Sequence, residues 1–480
     1  MKKIFYKSGL LICALAIIFT FLSACSSVVP TSTAVNTAAA TAVEIPLVTA
    51  SVSDTATAVA TSDASASANS AAAPGTPPGA PPDGAPGGST SVETGTGAYV
   101  VSDGETLSGG KYTSSNADEN AIRAEGDVSA ELNGVTVEKT GGEVSNNDAS
   151  SFYGLNAAVL ALDNATLNIA GGSVTATTEG SNGVFAYDGA TINIKDTVIN
   201  VSGGNAGGIE VAGGGSMYAS NLTVNSTVKA AIRSDRGGGT LVVDGGTYTT
   251  AGSSGAPAIY STADISVSNA TLTAHNSEAV VVEGFNSVTL NDCDVSGNMD
   301  GTYGDANGEN VHNVMLYQSM SGDAETGTSS FTMNGGSLLS ENGDMFYVTN
   351  THSIITLSGV NLTLADGTKL LQVSGNNSSR GWGQAGANGG NTVFNLSAQT
   401  ASGDIYVDSI SKLEMNITDA SSYTGAINAD GTQAAELSVT IDATSTWSLT
   451  ADSYVTAFNG DLSQVVNNGF TLYVDGVAVK

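Results

Sequence analysis

The segments ISVSNATL (265–272) and VTLNDCDV (288–295) begin 23 residues apart and have the same form. Apolar residues alternate with other residues (Ile265 and Val267; Val288 and Leu290), a pair of small polar residues follows, and a second short strand pattern begins. Alternation with a period of two places the apolar side chains on one face of a β-strand. The pair, Ser-Asn in one and Asn-Asp in the other, is built from residues that tolerate a tight turn or a left-handed backbone. The same form recurs in AELNGVTV (130–137), INIKDTVI (192–199), LVVDGGTY (241–248), FTMNGGSL (331–338) and ITLSGVNL (355–362). From Phe331 to Ile355 the step is 24 residues.

A further strand pattern precedes each of these. It reads AVLALD (158–163), GVFAYD (183–188), GGIEVA (207–212), AAIRSD (230–235) and PAIYST (257–262). Later copies read VVVEGF, VMLYQS, MFYVTN, LLQVSG and IYVDSI. A near-constant period of roughly 20–30 residues, made only of short strands and turns, describes a solenoid. A many-stranded sandwich would not hold its coil length constant. The repeat resembles the right-handed parallel β-helix of the pectin-lyase-like superfamily, with three strands per coil. That resemblance covers about 98–455 and implies the handedness. About a dozen coils at roughly 4.8 Å each predict a rod on the order of 60 Å long. GAYVVSDGETLSGGKY and FTLYVDGVAVK are expected to cap its ends, where unpaired strand edges are otherwise open.

The first 24 residues set the expected address. Lys2, Lys3 and Lys7 precede the apolar run GLLICALAIIFTFL, which is too short to span a bilayer, and LSAC places Cys25 after small residues. LSAC resembles the bacterial lipobox, which implies diacylation of Cys25 and removal of residues 1–24. No other segment is long and apolar enough to anchor the chain, so the expected location is the bacterial cell envelope, outside the cytoplasmic membrane. Residues 25–97 are rich in Ala, Thr and Ser, and six of the nine prolines fall in 74–86, which reads as an extended tether. The predicted solenoid domain is 98–480.

Loss of Lys2, Lys3 and Lys7, with no acid among them, takes the net charge from −31 to −34. Such a surface excludes nucleic acid and anionic lipid as main partners, because both need a basic patch. Cys13 leaves with the signal and Cys25 is assigned to the lipid, so Cys293 has no disulfide partner. Cys293 aligns with Ala270 one coil earlier and is predicted to be a small core residue.

Arg233 and Asp235 lie two apart on a strand whose inward residues are Ile232 and Ser234. They are expected to form a solvated ion pair, in line with Glu210 and Tyr260 of the flanking coils. The same alternation turns Leu160, Leu162, Phe185, Tyr187, Tyr260, Phe285, Tyr317, Tyr347 and Tyr406 outward. Insertions at about 141–154 and 298–313 precede that strand, and others at 321–329 and 375–391 follow it. Loops on both borders predict a groove over the strand's outer face. Tyr317, Tyr347 and Tyr406, with Arg380 and Trp382 from the 375–391 loop, are the candidate ligand-binding residues, because flat rings stack on sugars. Asp300, Asp305, Asn307 and Glu309 form an acidic loop that is a candidate for Ca²⁺, although their spacing fits no EF-hand. No other cofactor is called for.

Two functions follow. One is a non-catalytic, adhesin-like surface protein that binds glycan or another surface polymer and meets the membrane only through its lipid. Its repeats and loops are similar to those of uncharacterised β-helix lipoproteins of bacterial surfaces. The other is a polysaccharide lyase or hydrolase acting on acidic polysaccharide in the groove walled by the 298–313 and 375–391 loops, with Arg380 beside the 299–325 acids as its candidate constellation, since many relatives by fold are such enzymes; fold alone is a weak warrant. The Asn-Thr-Asp, Asp-Asp and Gly-His-Gly signatures of galacturonan hydrolases do not occur.

Overall fold

A computed structural model describes residues 92–302 and 310–480, all within the unit Pro74–Lys480. The signal segment, Cys25 and most of the tether lie outside the described residues. The architecture is all-β, 52% strand and 3% helix, with long parallel sheets consistent with a β-helix solenoid. A first sheet stacks twelve strands, from Thr96–Val100 through Ile232–Ser234 to Ile405–Val407, each pairing in parallel with the copy one coil along. A second sheet of 22 strands carries the other two strands of most coils.

The turn pairs behave as their chemistry requires. In all seven quoted segments the second residue of the pair has a left-handed backbone: Gly134, Asp196, Gly245, Asn269, Asp292, Gly335 and Gly359, with φ between 50° and 70°. Only Gly, and at modest cost Asn or Asp, takes this conformation routinely, so these residues set where each coil bends.

Inward residues stack on one another. Ile122, Val159, Val184, Ile209, Ile232, Ile259, Val280 and Val314 are successive register partners, and Phe346, Leu371 and Ile405 continue the row. Cys293 pairs with the Ala270 level, is fully buried, and has Sγ 3.4 Å from the Val267 carbonyl. Burial pushes its thiol pKa up, as for an inert core cysteine.

The two ends differ from each other. GAYVV is itself the first rung, pairing with Glu119–Glu125, and the Tyr99 and Tyr112 rings meet edge-on at 5.0 Å beside the first core residues. At the other end Leu472–Val474 pairs antiparallel with Val477–Ala478.

Candidate functional site

The 141–154, 321–329 and 375–391 insertions meet on the outer face of the first sheet. The 141–154 insertion folds into a short helix, Asn147–Tyr153. Asn146 caps its start by accepting from the Ala149 N–H, and Gly154 ends it at φ 72°. From this helix Ser151 Oγ accepts from Arg233 Nη2 at 3.1 Å, and the Phe152 ring lies 4.0 Å below the Arg236 guanidinium. The 319–325 segment closes over the next coils, where Asp323 accepts from Arg236 Nη2 at 2.7 Å and from Ser321 Oγ at 2.8 Å.

Under this cover the expected solvated ion pair is a buried one. Arg233 is 6% exposed, Asp235 4%, and Glu210 fully enclosed. Register is as read from the sequence, with Glu210, Arg233 and Tyr260 on successive coils. Exposure is not, because the helix and the 319–325 segment take the place of water. Arg233 Nη2 donates to Asp235 at 2.6 Å, and its Nε lies 3.4 Å from a Glu210 oxygen. Neither Glu210 oxygen accepts a hydrogen bond from the described residues. Burial raises the Glu210 carboxyl well above its ordinary range, further than the pull of Arg233 can offset. Asp235 is raised for the same reason.

Glu283 forms the polar centre next along the face. It accepts from the Tyr260 hydroxyl at 2.6 Å, from the Tyr317 hydroxyl at 2.9 Å, and from the Ser319 backbone N–H and hydroxyl. Burial again raises this carboxyl, while the serine and the two tyrosines hold it back.

Tyr317 and Tyr347 do point outward, and the 375–391 loop brings Trp382 onto them. The Tyr317 and Trp382 rings are 4.8 Å apart, and both join Tyr347, Val281 and Met315 in one buried cluster. Trp382 is only 2% exposed. Asn388 holds the loop in place by donating to the carbonyls of Asn376 and Trp382 at 2.9 and 2.8 Å. Arg380 lies over the outer face of the Trp382 ring at 4.2 Å and is exposed. The expected open groove is therefore closed here by its own loop, because three large rings gain more from one another than from water. Tyr406 stands apart: it is two coils from Tyr347, with Gln372 between them, and half-buried.

Of the acidic loop, Asp305, Asn307 and Glu309 lie outside the described residues. Asp300 accepts from the Ser254 N–H and hydroxyl at 3.2 and 2.8 Å. Among the described residues no three His, Cys, Asp or Glu side chains converge as a ligand set.

One aromatic of the outward group remains in solvent. Phe285 is 62% exposed, beside a hollow of about 310 Å³. It follows Gly284 (φ 65°), beyond the end of the strand Val280–Glu283, so the turn rather than the strand aims it. The motif Gly-Phe-Asn after a strand was the signal available in the sequence. Comparison of the chain with protein-family models, with curated proteins and with solved structures finds no match.

Proposed function

We propose that this chain is a non-catalytic, lipid-anchored protein of the bacterial cell surface, adhesin-like, holding a glycan or similar polymer on the outside of a right-handed β-helix of the pectin-lyase-like type. The observation that carries the reading is the closure of the first sheet's outer face. Along its central coils the ionisable groups Glu210, Arg233, Asp235 and Glu283 are buried and directed at one another or at neighbouring hydroxyls. Groups that transform a substrate must reach it, whereas here Ser151, Ser319 and the roofing loops occupy the approach. The LSAC segment that places Cys25 after small residues and the strongly acidic composition support display on a lipid.

The lyase or hydrolase alternative drew on Arg380 facing the 299–325 acids. Arg380 lies over the buried Trp382 ring, and Asp300 is engaged with Ser254. The test is a broad glycan array probed with the full-length protein in detergent, with and without Ca²⁺, alongside an assay for polymer cleavage. Retained glycan without cleavage is the expected result. Cleavage of an acidic polysaccharide would overturn the reading, as would silence across the array. In cells, Cys25→Ala should move the protein from the membrane fraction to the soluble one.

A further inference from the structure

Where the first sheet turns into the second, Phe285 lines the 310 Å³ hollow together with Gly238, Gly239, Ala263 and the polar residues Asp264, Ser287 and Ser330. Asp264, Ser287 and Ser330 are successive register partners, so their side chains rise from adjacent coils roughly 4.8 Å apart. Ser287 donates to one Asp264 oxygen at 2.7 Å, which fixes the carboxylate and directs its second oxygen elsewhere. Asn286 and Thr328 complete the rim.

The ring is held in place before any ligand arrives. The Phe285 N–H donates to the Glu325 carbonyl at 2.7 Å, and the Asn286 carbonyl accepts from the Ser330 N–H at 2.9 Å. Gly327 lies directly beneath the ring: a Cβ there would come within 2.7 Å of Phe285 ring carbon. Only glycine permits this approach, and the contact keeps the ring upright at the edge of the hollow. The Phe285 side chain is 62% exposed, so most of its apolar surface meets solvent.

We infer that this hollow is a saccharide subsite, in which Phe285 stacks on a pyranose ring and Asp264, Ser287 and Ser330 hydrogen-bond its hydroxyls. The inference rests on the glycan-binding reading above and adds a place and a class of sugar. One apolar face beside a few convergent polar groups is the arrangement that fits a sugar, apolar on its ring faces and polar around its rim. The Asp264 carboxylate lining the hollow and the strongly acidic chain disfavour uronates, so the ligand is a neutral or N-acetylated pyranose.

The test is calorimetric titration of the full-length protein in detergent with three probes: cellotetraose, chitotetraose and tetragalacturonate. One of the first two should bind at least tenfold more tightly than the third. Phe285→Ala should weaken that binding tenfold or more, and Asp264→Ala severalfold, with the thermal melt of each variant unchanged. Gly327→Val, which displaces the ring without removing it, should weaken binding as Phe285→Ala does. Unaltered affinity in Phe285→Ala, for whichever glycan the array shows to be retained, would sink the subsite and leave the glycan-binding reading standing. Tighter binding of tetragalacturonate would overturn the sugar class. Silence on the whole array would remove the reading on which both rest.

Discussion

The outer faces of the two sheets obey the same alternation and have opposite fates. On the second sheet the outward residues remain in water and link coil to coil in short amide ladders: Asn193 to Asn168 at 2.9 Å, Asn225 to Asn200 at 3.0 Å, Asn334 to Asn291 at 3.0 Å. On the first sheet Glu210, Arg233 and Tyr347 are enclosed as fully as the solenoid's interior. The strands differ little, but the connections differ greatly. Where a two-residue turn joins strands, nothing is left to cover the outer face. Where a helix or a long loop is inserted, that face becomes a second core, and charges on it must find partners.

The largest expected effect breaks the comparison at its ionic centre. Arg233→Met takes from the buried Glu210 and Asp235 the cation that touches them, leaving only the more distant pull of Lys229 on Glu210, and should cost about 3–5 kcal/mol in denaturant unfolding. Adding Glu210→Gln and Asp235→Asn to the same chain should recover much of that loss. A cost near zero for Arg233→Met would show that this face is wet.

Trp382→Ala empties the aromatic half of the roof and should cost about 3 kcal/mol or more. In a solenoid such a loss is felt by neighbouring coils first, so hydrogen exchange should quicken in His312–Tyr317 and Asp344–Thr349 before other strands. Uniform exchange along the first sheet would mean that the 375–391 loop is decoration.

Lys139 tests the first coils, where a lysine takes an inward place in register with Ala176. Its ammonium donates to the Asn116 carbonyl and to Ser114 Oγ, and burial lowers its pKa to about 8 against the pull of Glu119 and Asp118. A folded pKa below the unfolded value of 10.5 means that the unfolded chain binds more protons between these two limits. Stability should therefore rise with pH from about 8 to 10.5, by at most about 3 kcal/mol. Lys139→Met should flatten that part of the pH profile, and an unchanged slope would assign it to other groups.

Glu210 gives the opposite sign. Its carboxyl holds a proton in the folded chain at pH values where the unfolded chain has released it, so its contribution falls as pH rises above 4.5. Glu210→Gln should gain on the parent chain across that rise. The smallest effect belongs to the bare face: Asn193→Ala or Asn200→Ala should each change stability by about 0.5 kcal/mol or less. A larger loss would show that the ladders carry the second sheet.

Much of this was legible before any coordinates. The seven turn pairs, the register of Glu210 with Arg233 and Tyr260, the outward direction of Tyr317 and Tyr347 and the burial of Cys293 all follow from residue type and spacing. Arg233 was misread as solvated because alternation reports which face a side chain takes, not what lies above that face. Phe285 is one name among nine, and only the Gly-Phe-Asn motif, not its spacing, separates it from Tyr347.

The sequence by itself determined the coil: its length, its bends and its inward row. Those rest on local constraints, a period of two and a left-handed turn residue, that act within a few positions of one another. Only the tertiary structure decided which outward residues meet water. That outcome depends on where the 141–154, 321–329 and 375–391 insertions come to rest, and it joins residues as far apart as Ser151 and Arg233 or Arg236 and Asp323. Such contacts arise from packing between segments distant in the chain, which no local pattern encodes.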